Sequence, residues 1–159
     1  MAQRFRLEIG GKVEFDRTFI RIKENIADLS PEWEAAFEAF QTIEAQQFDT
    51  EGKAGATGKW KELSPDYASW KELYYPGAKI LERTGRLVES LTATTSDTVK
   101  NIGKLSAEFG TRVEYARNHQ DGIGVPKREV ISFSEKQKRF LQKEIQKSLV
   151  QRLDRTSGR

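Results

Sequence analysis

The chain contains one histidine, His119, in the stretch EYARNHQDG, with Asp121 two residues on. An imidazole oriented by a carboxylate is the core of general-base chemistry. The other parts of such a site do not appear. No serine sits in a GxSxG elbow. Cysteine is absent, which removes thiol nucleophiles, disulfides and thiolate metal sites together. A single histidine without cysteine cannot assemble a zinc site either. His119 is therefore expected to cap a turn or touch a partner. The carboxylates fare no better as catalysts. Glu32 and Glu34 fall where a helix starts, and the helix dipole favours anions there. Glu51 has no mate in its loop, whereas a glycosidase needs two carboxylates held at a set gap. Gly52, Gly55 and Gly58 lead into Lys59, but a phosphate-binding loop needs GxxxxGK followed by Ser or Thr, after a strand. Here Trp60 follows the lysine and a helix precedes the glycines. The expectation is a protein that is not an enzyme and carries no cofactor and no metal.

Positioning these residues falls to a recognisable series of elements. QRFRLEIGGKVEFDR alternates apolar and polar residues around Gly10-Gly11, which predicts a hairpin with Phe5, Leu7 and Ile9 on one strand and Val13 and Phe15 on the return. TFIRIKENIADL reads as a short helix or, second to that, as more strand. Ser30-Pro31 then opens the clearest helix, with serine as N-cap and proline at the first position. Its apolar stripe runs through Trp33, Phe37, Phe40, Ile43 and Phe48. A Gly-rich loop, expected to be flexible over 49–59, leads to a second Ser-Pro helix start at Ser64-Pro65. There Tyr67, Trp70, Leu73 and Tyr74 make an aromatic face, ended by Pro76-Gly77. Thr84 can cap a short helix carrying Leu87, Val88 and Leu91. Thr- and Val-rich stretches around Gly103 predict a second hairpin, with strands at about 92–101 and 105–111. EYARNHQDG reads as a short helix closed by Gly122. VPKREVISF reads as an extended strand, because proline disfavours helix in its predecessor. Ser134 and Gln137 fit a capping box ahead of a last helix with Phe140, Leu141, Ile145, Leu149 and Leu153. Residues 154–159 are expected to fray. The order gives an α+β fold: an antiparallel sheet of two hairpins plus a strand, packed with helices, with a long C-terminal helix.

The chain's 159 residues suit one domain, 1–159. Apolar residues make up 36% and charged residues 32%. That core is modest, so part of the apolar surface is expected to be covered by a partner. The N-terminus lacks an apolar leader core, and no apolar run approaches the length of a membrane span. Synthesis in the cytoplasm is the expectation. The net charge of +3 is unevenly spread: residues 1–50 carry 6 basic and 10 acidic side chains, and residues 134–159 carry 8 basic and 3 acidic. Opposite signs could meet between copies, or the basic end could meet nucleic acid. Lys136, Lys138, Arg139, Lys143, Lys147 and Arg152 on the last helix could neutralise phosphates. They surround an apolar stripe, and no aromatic residues are interleaved for base stacking.

Four segments in order, WKELSP (60–65), ILERTGRLVESL (80–91), YARNHQDG (115–122) and VPKREVISFS (125–134), resemble the phage virion morphogenesis family, the tail-completion proteins of Mu-like and P2-like tailed phages. The resemblance covers about residues 48–150. The chain departs from the family pattern after Arg128, where Glu129-Val130-Ile131-Ser132 replaces an aromatic, Gly-containing stretch. The resemblance implies a structural virion protein at the head–tail junction. It would complete the tail as a ring subunit, hexameric by analogy with other joining proteins. Its partners would be its own copies, tail-tube or terminator proteins and neck connectors, with non-specific contact to DNA in the lumen. On that reading Trp60, Trp70, Tyr74 and Tyr75 are candidate interface anchors, each also readable as core. Thr84, Gly85 and Arg86 make a cap or turn. Tyr115, His119 and Arg128 belong to a packed corner with the last two as polar fasteners.

Overall fold

The computed structural model describes residues 3–8 and 27–157. In chain order these form β1 (Gln3–Glu8), α1 (Ser30–Asp49), α2 (Pro65–Tyr74), α3 (Arg86–Thr92), β2 (Thr98–Ile102), β3 (Ser106–Thr111), α4 (Tyr115–Asp121) and α5 (Glu135–Ser157). The expected α+β class holds. Its sheet has three antiparallel strands in the order β1-β3-β2. β1 matches the first arm of the expected N-terminal hairpin and pairs with β3, Phe5 opposite Phe109. Ile9, the Gly10-Gly11 turn, Val13 and Phe15 lie outside the described residues, as does most of the segment expected to be a short helix after them.

α1 is buried on more than one side, because the β2–β3 hairpin and α3 cover it on one flank and α5 covers it on another. Phe37 and Phe40 meet Phe109 of β3 at ring-centroid distances of 5.2 and 5.7 Å. Leu87 and Leu91 of α3 join this cluster, as do Leu141, Ile145 and Leu149 of α5. Those last three recur every four residues, as one face of a helix requires. Near the C-terminal end of α5, Arg152 Nη2 lies 2.9 Å from Glu32 Oε2 and donates to the Asp28 carbonyl at 3.1 Å. The two helices therefore run antiparallel.

Several boundaries differ from expectation. Ser30 is inside α1 rather than its cap; Leu29 holds the cap position, and Asp28 Oδ1 accepts from both the Ser30 N–H (2.8 Å) and hydroxyl (2.6 Å). Thr84 does not cap α3. Gly85 does, at φ +79, a left-handed conformation that costs a residue with a Cβ about 1–2 kcal/mol. The second hairpin is real but its first strand starts at Thr98, not near 92. α3 runs to Thr92, and the Thr98 hydroxyl donates back towards the Ser90 carbonyl at 2.9 Å, which turns the chain before it can extend. The capping box forms as expected: Gln137 Oε1 accepts from Ser134 N–H at 2.9 Å, and Ser134 Oγ accepts from Gln137 N–H at 3.4 Å.

The main correction concerns 125–133. VPKREVISF joins no sheet. Several of its backbone groups, at Glu129, Val130 and Ile131, are met by side chains instead, which satisfies them as a strand partner would have done. Gln120 Oε1 accepts from the Val130 and Ile131 N–H groups at 2.8 and 2.9 Å, and Gln120 Nε2 donates to the Ile131 carbonyl at 2.9 Å. Trp60 Nε1 and Gln47 Nε2 both donate to the Glu129 carbonyl, at 2.9 and 3.2 Å.

Candidate functional site

The corner around His119 is a structural joint. The His119 carbonyl accepts from Arg128 N–H at 2.8 Å, which ties α4 to the segment after it. The imidazole stands edge-on to Tyr115, with ring centroids 6.5 Å apart. Its Nδ1 is buried and makes no hydrogen bond among the described residues. Burial, and secondarily the Arg128 charge, lower its pKa. Asp121 is not its partner: that carboxylate lies 3.3 Å from Arg117 Nε, one helical turn back. Arg128 is buried and donates to the Lys61 and Glu62 carbonyls at 2.7 and 3.0 Å. It joins the chain after α4 to the stretch that leads into α2.

The Gly-rich loop closes on itself. Gly52 N–H donates to the Gln47 carbonyl at 2.8 Å, Trp60 N–H to the Glu51 carbonyl at 2.8 Å, and Ala56 N–H to Ser132 Oγ at 3.1 Å. Gly52 has φ +91, and a Cβ there would come within 2.6 Å of Trp60 Cδ1. Trp60 is 3% exposed and packs edge-on against Phe48 at 5.3 Å. Of the candidate anchors, Trp60 therefore belongs to the core.

The other aromatic candidates point outward. Tyr67 and Trp70 are each 40% exposed, Tyr74 62% and Leu73 74%. Their rings form a ladder on α2, with centroids 5.5 Å apart from Tyr67 to Trp70 and 5.3 Å from Trp70 to Tyr74. Tyr75, half-buried, closes the ladder 5.8 Å from Trp70. The single buried side chain of α2 is Lys71, which donates to the Lys79 carbonyl and whose pKa burial lowers. Sequence spacing identified the aromatic face, and the structure shows that nothing in the described chain covers it fully. Thr84 is exposed, and Arg86 grips Asp97 through two hydrogen bonds at 2.6 and 2.9 Å.

On α5, Lys138 pairs with Glu135 at 2.8 Å and Lys147 lies 3.7 Å from Glu144. Lys136, Arg139 and Lys143 are exposed and make no ion pair among the described residues. Phe140 and Val150 are exposed beside them. Part of the acidic front is spent inside the molecule: Glu32 faces Arg152, Glu34 reaches Lys100 at 2.5 Å, and Glu44 is fully buried.

Reasoning from the sequence missed Gln120 and Glu44. Gln120 gives no signal, because a glutamine on a short helix carries no mark of its partners. Glu44 gave a weak one, since it follows Ile43 on the helix whose stripe was read as core.

The model of the phage virion morphogenesis family matches residues 12–151. No curated protein and no solved structure matches the chain.

Proposed function

The chain belongs to the phage virion morphogenesis family, and we propose that it is the structural subunit that completes the tail and joins it to the head, working as a homo-oligomeric ring without catalysis. The observation that carries this reading is the outward aromatic ladder of α2. Stacked aromatic side chains with a 74% exposed leucine among them are costly to leave in water and are typical of surfaces that other proteins cover. Asp121 is engaged by Arg117 and not by His119, which agrees with a joining role. The ring's neighbours would be tail-tube or terminator proteins on one side and neck connectors on the other. Native mass measurement of the purified protein, alone and with tail tubes, tests it. Discrete oligomers or binding at tail ends are expected; a protein that stays monomeric and ignores tails overturns it.

Lys136, Arg139 and Lys143 of α5, exposed and in no ion pair within 4 Å among the described residues, favour a second reading, a basic module that touches DNA. Binding to duplex DNA should then weaken steeply between about 50 and 200 mM salt. On the joining reading such binding is weak at every salt concentration.

A further inference from the structure

We propose that the aromatic face of α2 receives the α5 ridge of the next copy of the chain, so that copies join head to tail; this rests on reading the chain as a ring subunit. The two surfaces are complementary in kind. Tyr67, Trp70 and Tyr74 form one continuous, partly exposed run of rings, and an accessible aromatic face carries negative potential that attracts ammonium and guanidinium groups. Asp66, exposed one helical turn before Trp70, adds formal negative charge at the edge of this face. The α5 ridge offers Lys136, Arg139 and Lys143, none in an ion pair within 4 Å among the described residues although Glu135 lies one turn from Arg139, with Phe140 and Val150 as exposed apolar residues on the same helix.

Both surfaces are exposed, so neither hides the other within one molecule. A second copy therefore finds both halves free. A patch and its complement on one molecule generate a heterologous contact, which closes into a ring when the rotation allows. A symmetric contact of α2 with α2 fits less well, because it leaves the cations of the ridge without a partner and brings the Asp66 carboxylates of two copies towards each other, and like charges across an interface are unfavourable. Duplex DNA fits the cations of the ridge but offers no unstacked base to the aromatic face and no contact for the ridge's apolar residues.

Two variants test the contact, one with Trp70→Ala and Tyr74→Ala, the other with Arg139→Glu and Lys143→Glu. All four side chains are exposed, so both variants should show the far-UV circular dichroism and melting curve of the parent, which confirms folding. Removing a central aromatic anchor should weaken association about 30-fold or more. Native mass spectrometry should then show each variant alone as a monomer. An equal mixture should form one-to-one dimers and stop there, because each dimer retains one working half of each kind, already used. Variants that still assemble like the parent overturn the contact and leave the ring reading standing. A mixture that stays monomeric also overturns it. Loss of DNA binding with intact assembly in the charge-reversed variant assigns the ridge to nucleic acid and overturns it too. A parent that is monomeric alone and at tail ends removes the ring reading, and the contact with it.

Discussion

Gln120 shows how much one side chain can do here. It supplies three hydrogen bonds to the backbone of Val130 and Ile131. Replacing it with alanine leaves two N–H groups and one carbonyl without partners, at about 1–3 kcal/mol for each group that water cannot reach. Gln120→Ala should therefore lower stability by about 2–4 kcal/mol in urea denaturation. Arg128→Ala should cost a similar amount, since it strips two carbonyls of a charged donor. His119→Ala should cost less than about 1 kcal/mol, because its ring makes no hydrogen bond among the described residues and its useful atom, the carbonyl, remains. Glu44 makes a pH-dependent claim. Both its oxygens are buried without a hydrogen bond among the described residues, and burial raises its pKa well above the ordinary value of 4.5. The folded state holds its proton at pH values where the unfolded chain has released it. Glu44's contribution to stability is therefore fully present below pH 4.5, falls as pH rises towards the folded pKa, and is lost above it. The slope is at most about 1.4 kcal/mol per pH unit. Glu44→Gln removes that slope. Urea midpoints of parent and variant, measured from pH 4.5 to 8, should diverge as pH rises, the variant becoming relatively more stable. Parallel curves would contradict the burial of a neutral carboxyl.

At the level of elements, Gly85 is the point where local backbone decides. Its left-handed φ fits glycine, and a Cβ would come 3.1 Å from Glu89 Oε1. Gly85→Ala should lower the melting temperature with a loss of about 1–2 kcal/mol; an unchanged melting curve would contradict the assigned conformation. The helices were legible in the sequence where periodicity agreed with a start signal, Ser-Pro in α1 and α2 and the Ser134–Gln137 capping box in α5. The β2–β3 hairpin was legible from Gly103 and its β-branched flanks. The segment 125–133 was not, because an extended run of apolar and polar residues looks the same whether a strand or a set of side-chain amides meets its backbone. The strand order was hidden for a related reason: alternation marks β1 as a strand but does not name β3 as its neighbour. The candidate site was half legible. Spacing put Tyr67, Trp70 and Tyr74 on one face, yet spacing is blind to whether another element covers that face. Trp60 lies only ten residues before Trp70 and is core.

For the molecule as a whole, stability and recognition are carried by different parts. α1 is the interior on which the sheet, α3 and α5 all pack, whereas α2 sends one side chain inward. Positions 67, 70, 73 and 74 can therefore change at little thermodynamic risk. A library randomised at those four positions should keep its members folded at the parent's melting temperature and, on the proposed joining role, scatter them widely in their assembly. Such a chain is free to follow a changing set of mates without rebuilding the scaffold that presents it.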